Sequence, residues 1–353
     1  MKTVVVGLSG GVDSSVSALL LKKQGYKVVG LHMRGENLET RGADEKRVRE
    51  LCCELGIECV VVDYCDHMQK VKDYFVKEYL AGRTPNPCVV CNREVKFKPF
   101  LEYMEKLNAD YFATGHYAIV EHNQNKHHLK KAVDKNKDQS YFLCQLSNEQ
   151  ISKVLFPLGD LKKTEVRKIA EENNLVTKET KESYDVCFLG SQKFKNFMSE
   201  NYPEKPGNIV DVTTNEIVGK HTGISKYTIG QRKGLNIGGK NGYDDARWFV
   251  VKKDVKTNTL YVNCGECDEM FSSGCVVTDF NWIADRPTQD FECFVKLRYR
   301  QPDQETKVEV LDEKTIKLTF ANKQRAVTIG QFAVLYGEDG MCYGGGRINE
   351  LIK

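Results

Sequence analysis

No apolar run in this sequence is longer than a β-strand, and its first residues enter a strand-like stretch without a signal-type apolar region ahead of it, so neither a membrane span nor export is expected. A strong charge of either sign is also missing. Against 52 Lys and Arg stand 49 Asp and Glu, and the resulting net +3 decides nothing about nucleic acid, because phosphate affinity follows local clusters. Repeats, long linkers and low-complexity tracts are absent, which excludes a repeat architecture and a disordered chain. What is present is 353 residues, too many for one ordinary core, and 13 cysteines. Without a secretory signal those cysteines read as reduced thiols, metal ligands or catalytic groups, and a cytoplasmic multidomain protein is expected.

Strand and helix patterns alternate at the front of the chain. Strands are predicted over 3–7, 28–33, 59–63 and 111–115, and helices over 14–24, 44–55, 68–80 and 94–106. This alternation predicts an α/β fold with a doubly wound parallel sheet, covered on both faces and binding ligands at the carboxyl ends of its strands. Residues 143–173 read as helical and polar, interrupted at 157–159. Beyond Pro203-Glu204-Lys205-Pro206-Gly207 come short β runs at 208–212, 248–253, 259–262, 275–281, 291–299, 308–311, 316–320 and 333–336. They predict small β-rich domains ending in a β-barrel. The expected division is a catalytic domain over 1–202 with a helical insert, a central β-rich domain over 203–270 and a C-terminal barrel over 271–353.

The sharpest motif is Ser9-Gly10-Gly11-Val12-Asp13-Ser14, placed between the first strand and the first helix. Gly10 and Gly11 let backbone amides approach an anion, the helix offers its positive end, and Ser9 and Ser14 add hydroxyl donors. Asp13 within such a cradle makes sense where Mg²⁺ bridges it to ATP oxygens. A glycine turn with a helix cap is the bland alternative, and the whole hexapeptide in a βαβ opening argues against it. The Gly-Lys-Ser/Thr ending of a Walker loop and the Gly-x-Gly-x-x-Gly of a dinucleotide site are both missing. The loop resembles that of the N-type ATP pyrophosphatases, which implies transfer of AMP to a carbonyl or carboxyl oxygen with release of pyrophosphate.

Two cysteines, Cys88 and Cys91, follow the proline-stiffened Thr84-Pro85-Asn86-Pro87 just ahead of the helix predicted at 94–106, where a helix N-terminus would lower a thiol pKa. Cys187 stands between polar and aromatic neighbours in Ser183-Tyr184-Asp185-Val186-Cys187-Phe188-Leu189-Gly190. Cys52, Cys53, Cys59 and Cys144 read as small buried hydrophobes. Cys264-Gly265-Glu266-Cys267 lies in a predicted hairpin and reads as structural.

Gly7–Ser14, Thr84–Pro87 with Cys91-Asn92, Ala113-Thr114-Gly115-His116-Tyr117, Lys137-Asp138-Gln139-Ser140-Tyr141, Cys187–Gly190 and Gly230-Gln231-Arg232-Lys233-Gly234-Leu235 run in order through the chain. On these blocks the chain resembles the tRNA-specific 2-thiouridylase family. The resemblance implies ATP-dependent thiolation at C2 of a wobble uridine in tRNA, with sulfur supplied as a persulfide by a cysteine desulfurase or sulfur carrier protein. It implies that Gly7, Leu8, Ser9, Gly10, Gly11, Val12, Asp13 and Ser14 hold ATP, with Met33 and Gly115 at the adenosine. Cys187 would receive the persulfide and Cys91 would be its nucleophilic partner, able to close a disulfide with it. Asn86, Pro87 and Cys88 match positions at the target base; His116, Lys137, Asp138, Gln139, Arg298, Tyr299 and Gln331 match positions at the tRNA.

The basic run Lys126–Lys137, with five lysines and two histidines, and the run Lys296-Leu297-Arg298-Tyr299-Arg300 on a predicted strand fit such an RNA partner, although solvated charge is the common reading of either. One position departs from the family: Cys88 stands where the usual pattern has Asp. Three thiols, Cys88, Cys91 and Cys187, would then be able to hold three irons of a [4Fe–4S] cluster, an alternative to the persulfide relay, with structural zinc a third reading. Another ATP pyrophosphatase would leave Cys91 and Cys187 idle, and a non-enzymatic RNA-binding protein has no use for Asp13 in a phosphate loop. No role is assigned to Glu36–Arg41.

Overall fold

The computed structural model of the protein describes residues 1–353 except 35–37, 64, 124–125, 182–185, 190–193, 238–246 and 284, with the backbone alone at 38–41, 65 and 123. Ser183, Tyr184, Asp185 and Gly190, which flank Cys187, therefore lie outside the described residues, as does part of the block 36–41. The chain opens as β1 (Thr3–Gly7), α1 (Val12–Lys23), β2 (Lys27–Arg34), α2 (Leu38–Leu55), β3 (Glu58–Asp63) and α3 (Cys65–Leu80). Next come α4 (Pro87–Cys91), a π-helical turn (Asn92–Phe97) and α5 (Lys98–Lys106), then β4 (Tyr111–Ala113). Together with β7 (Val154–Leu155) the strands form one parallel sheet in the order β3-β2-β1-β4-β7. The α/β expectation holds. Val4, Val5 and Val6 are all fully buried, Val4 and Val6 in the core on one face and Val5 in the core on the other. A central parallel strand covered on both sides has no polar face to show, hence its continuous apolar sequence.

Several segments differ from expectation. The helix predicted from 94 starts at Pro87, and its π-helical turn shifts the apolar phase partway along, which hid the first two turns from a 3.6-residue pattern. Pro87 suits a first turn, whose N–H has no intrahelical partner. Residues read only as a basic run belong to a hairpin of β5 (Ile119–Asn123) and β6 (Lys126–Lys130). The polar helical region resolves into α6 (Ser140–Leu143), α7 (Asn148–Lys153, opened by a Ser147/Gln150 capping box) and α8 (Lys163–Glu172), with β7 between the last two. A short 3₁₀ turn, Cys187–Leu189, and α9 (Phe194–Asn201) follow.

Strands β8 (Gly207–Asp211), β9 (Ile217–His221), β10 (Trp248–Asp254) and β11 (Thr259–Cys264) make a sheet ordered β10-β11-β8-β9 around Ile209, Val250, Leu260 and Val262. Strands β12 (Phe271–Trp282), β13 (Phe291–Lys296), β14 (Gln304–Val310), β15 (Ile316–Arg325), β16 (Phe332–Tyr336) and β17 (Cys342–Ile352) close the expected barrel. Two details are corrected. Cys264 to Cys267 is no hairpin but the link from β11 to β12, which lie in different sheets. The strand predicted over 291–299 ends at Lys296, where the Gln301 side chain accepts from the Leu297 N–H at 3.1 Å and turns the chain, so Arg298 and Tyr299 stand on a turn.

The barrel shares a core with the parallel-sheet unit. Phe332, Val334, Tyr336 and Cys342 pack in one buried cluster with Tyr141, Leu143, Cys144 and Leu146. Tyr141 donates to the Phe332 carbonyl at 2.9 Å, Gln145 to that of Gly345 at 2.6 Å, and Asn281 to that of Leu146 at 2.8 Å.

Candidate functional site

The sheet order reverses between β1 and β4, and at such a switch point two strands send their loops to opposite faces, leaving a crevice at the carboxyl edge. The Ser9–Ser14 loop leaves β1 there, and Gly115 follows β4. Gly10 holds φ +81°, the left-handed region that glycine enters freely. Ser9 N–H donates to Ser14 Oγ at 3.2 Å and Ser14 Oγ donates to the Gly11 carbonyl at 3.1 Å, which fixes the curl. A Cβ on Gly115 would stand 2.8 Å from Ser14 N and 2.9 Å from Asp13 C. The loop after β4 thus presses directly on the phosphate loop. Leu8 and Val12 are buried beneath it, and Leu8 and His32 are tied by a 2.8 Å bond from the ring to the Leu8 carbonyl.

Asp13 does not stand alone. Lys163 Nζ, at the first residue of α8, lies 2.6 Å from Asp13 Oδ1, and the Tyr117 hydroxyl donates to the same oxygen at 2.8 Å. The lysine is mostly buried and the carboxylate half-buried, so the pair sits where water screens it poorly. Sequence reading missed Lys163: it lies 150 residues from Asp13 and nothing in the local pattern of α8 marks it. Glycine amides, two serine hydroxyls, a carboxylate and an ammonium lining one crevice suit the polyphosphate of ATP and its divalent ion, Asp13 being the group that would hold the metal.

The thiols gather at the next strand end. Cys91 is buried against Val71 and Val95, and Met33, at the end of β2, packs on that same cluster together with Phe188. Phe188 follows Cys187, and it also stacks edge-on against Phe75 of α3 at 5.2 Å. The structure thereby brings Cys187 near Cys88 and Cys91, from a stretch about a hundred residues along the chain, with Met33 packed beside Cys91. Cys187 is exposed. The lowered thiol pKa expected from a helix start is not found: burial pushes Cys91 up to about 11 and raises Cys88, whose surface is exposed but ringed by protein. Both cysteines lie inside α4 and not ahead of it, Cys88 in the first turn and Cys91 at the last residue, and desolvation outweighs what the helix end contributes. The cation both thiols feel is Lys96, in the π-helical turn, and sequence reading missed that too. An α-helix would set a residue five positions on about 140° away around its axis. The wider turn, closed by i to i+5 bonds, keeps Lys96 near the face of Cys91.

Among the described residues no three His, Cys, Asp or Glu side chains converge as a metal ion would need. No step is derived through the [4Fe–4S] or zinc readings of Cys88, Cys91 and Cys187.

The residues matched to tRNA contacts are largely engaged within the protein. Asp138 is buried and accepts from Ala132 N–H, Ser140 N–H and Ser140 Oγ. Gln139 accepts the Tyr117 N–H at 3.0 Å, holding the loop beyond β4. His116 lies between Phe97 and Phe156 with its pKa well below the usual value, so it is neutral; its Nδ1 pairs with Thr114 Oγ1 at 2.8 Å. Arg298 donates to the carbonyls of Ala326 at 2.7 Å and Ile229 at 3.2 Å and to Thr328 Oγ1 at 2.6 Å. Tyr299 packs on Phe142 with ring centres 4.3 Å apart. Gln331 donates to the carbonyls of Thr84 and Pro85. Of the basic run, Lys126 pairs with Asp285, Lys130 with Glu121 and Asp339, and Lys131 with Asp303, which leaves less free charge than the count of lysines suggests. Lys137 has partners of its own within the protein. No helix among the described residues is long and apolar enough to cross a membrane.

Three family models match the chain in order: a tRNA methyl transferase HUP domain over residues 2–191, a tRNA methyl transferase PRC-barrel domain over 195–264 and an aminomethyltransferase β-barrel domain over 272–348. A tRNA-specific 2-thiouridylase MnmA from Alkaliphilus oremlandii is 46% identical over 360 residues, covering 99% of this chain and 98% of the relative. That of Proteus mirabilis is 48% identical over 363 residues, covering 100% and 98%. Among solved structures, the U34-tRNA thiolase NcsA from Methanococcus maripaludis with its [4Fe–4S] cluster matches 57% of this chain and 67% of its own at 21% identity and a TM-score of 0.36, a likeness that bears on nothing further.

Proposed function

Since this chain belongs to the tRNA-specific 2-thiouridylase family and forms 2-thiouridine in tRNA, we propose that it does so by adenylation of the uridine C2 oxygen at the Ser9–Ser14 loop and sulfur transfer through Cys187 and Cys91. The observation that carries this reading is the packing of Cys91, Phe188 and Met33 in one cluster at the edge of the nucleotide crevice. Activation and sulfur delivery then act on a single base held between them.

In the first half, the loop amides, Ser9, Ser14 and Lys163 hold the ATP phosphates, and Asp13 would hold Mg²⁺, which would supply charge neutralisation there. The C2 oxygen attacks the α-phosphorus and pyrophosphate leaves, its developing charge met by Lys163. In the second half, Cys187 carries a persulfide taken from a cysteine desulfurase or sulfur carrier protein. Its terminal sulfur bonds to C2 and AMP departs with the former C2 oxygen. The Cys91 thiolate then attacks Cys187 Sγ, the S–S electron pair passes to the sulfur on C2, and 2-thiouridine is released as a Cys91–Cys187 disulfide forms. An external thiol reductant must supply two electrons before the next turnover. Exposure of Cys187 suits sulfur loading from a partner, and burial of Cys91 suits a thiol that acts only inside the closed site. Asn86, Pro87 and Cys88 would meet the base, which must leave its anticodon stack. Lys137 would meet the tRNA at an edge that buried Asp138 holds in shape, with His116, Gln139, Arg298 and Tyr299 alongside. The units over 1–202, 203–270 and 271–353 would act together in the cytoplasm as catalytic domain, connector and barrel.

The test is thiolation of unmodified tRNA by iron-free protein given ATP and a persulfide donor, compared with Cys187→Ser and Cys91→Ser. The reading expects full activity without iron, no product from either variant, and pyrophosphate release retained in both. Activity that appears only after iron reconstitution would overturn it.

A further inference from the structure

Residues 81–86 connect α3 to the cysteine helix; Arg83 N–H donates back to the Glu78 carbonyl at 2.9 Å, and beyond it the segment has little means of holding itself in place. Pro85 and Pro87 lack an N–H, and each restricts its preceding residue to extended backbone, as seen at Asn86 with φ −115° and ψ 93°. The carbonyls of Thr84 and Pro85 consequently need donors from elsewhere. The barrel provides them. Gln331 Nε2 donates to Thr84 O at 2.9 Å and to Pro85 O at 3.1 Å, and Thr84 N–H donates to the Ile329 carbonyl at 3.0 Å. Between those two residues Gly330, at φ +93°, lies so close that a Cβ there would stand 3.1 Å from Arg83 Cβ, Thr84 N and Thr84 O.

The turn that makes these contacts is itself braced. Gly330 N–H donates to the Ile348 carbonyl at 2.9 Å and Ile348 N–H to that of Gln331 at 2.8 Å, joining the turn to β17. Arg298 holds its near end at Ala326 and Thr328 and reaches Ile229 in the neighbouring sheet unit. A second tie runs alongside: buried Glu78 of α3 takes a two-pronged bond from Arg83, both arms 2.6 Å, and Arg347 of β17 approaches the same carboxylate at 3.8 Å.

We propose that Gln331 is a positioning residue, which sets where the cysteine helix begins by capping the Thr84 and Pro85 carbonyls and so fixes where Cys88 and Cys91 stand. The barrel turn Thr328–Gln331 is then a template for the catalytic segment, and tRNA seated on the barrel bears mechanically on the thiols. The inference rests on the reading of Cys91 as a reacting group for its kinetic part only, because the placement of Cys88 and Cys91 is measurable without any reaction.

The experiment uses the full chain with Gln331→Leu, Gln331→Glu and Gln331→Lys. Leu removes the donor, Glu keeps the shape but offers oxygens to two carbonyl oxygens, and Lys restores a donor of similar reach. Two readouts are taken: the rates at which iodoacetamide labels Cys88 and Cys91 in tRNA-free protein, resolved by peptide mass, and kcat and KM for tRNA in thiolation. Expected are labelling rates changed about threefold or more and kcat lowered about tenfold in Leu and Glu, with KM for tRNA within about twofold and both readouts recovered in Lys. Unchanged labelling with a raised KM for tRNA would overturn the proposal and make Gln331 a contact to RNA alone. Changed labelling without a kcat effect would keep the positioning role and sink the assignment of Cys91. Should Leu fail to fold, the near-isosteric Glu variant still decides between these outcomes.

Discussion

A methyl group added at Gly115 should impair ATP use while leaving the protein folded. A Cβ there meets Ser14 N at 2.8 Å and Asp13 C at 2.9 Å, both backbone atoms that cannot rotate aside, where ordinary contact begins at 3.4 Å. The loop after β4 and the phosphate loop must part by about half an ångström, an overpacking cost of about 1–3 kcal/mol. A misplacement of 1 Å can cost about a hundredfold in rate, so half of that amounts to about tenfold in kcat/KM for ATP. The assay is pyrophosphate release at saturating tRNA with varied ATP, together with tRNA affinity and a thermal melt. Gly115→Ala should lower kcat/KM for ATP about tenfold, leave tRNA affinity unchanged and lower the melting temperature by about 2–12 °C, at about 2–4 °C for each kcal/mol. Gly42→Ala on α2, where a Cβ meets nothing within 4 Å, is the control and should leave ATP kinetics untouched. ATP kinetics within twofold of the parent in Gly115→Ala would refute the placement of the nucleotide between β1 and β4.

Lys163→Met removes the ammonium 2.6 Å from Asp13 and should cut pyrophosphate release about 100-fold or more, whereas Tyr117→Phe, which takes away one hydrogen bond to the same oxygen, should cost about tenfold; steady-state release assays order the two. Lys96→Gln removes the cation that opposes burial at Cys91. Its thiol, already pushed up to about 11, should move higher still, so that at pH 8 the thiolate and its alkylation rate fall about tenfold for each unit gained, while Lys96→Arg stays near the parent; the alkylation rate against pH reads this directly.

Much of the frame was legible in the residue order because it depends on neighbours in sequence. The valines of β1, the Gly10-Gly11 turn and the periodicity of α1 each act over a few residues, and they specified a parallel sheet with a phosphate loop at its edge. The run of short β segments likewise announced a barrel. The helix at Pro87 was read late because a π-helical turn breaks the period, and the hairpin Ile119–Lys130 was concealed by charges that proved to be paired with Asp285 and Asp339 across the fold.

Residue types alone pointed to a nucleotide cradle and three notable thiols, since Gly, Ser, Asp and Cys carry their chemistry wherever they stand. Only the tertiary structure decided how those groups are set. Lys163 reaches Asp13 because α8 packs beside α1, burial and not the helix end governs the Cys91 thiol, and Gln331 caps carbonyls 246 and 247 positions away. Such partners are selected by packing, desolvation and the need of buried carbonyls for donors, and these act between residues that a linear pattern never places side by side.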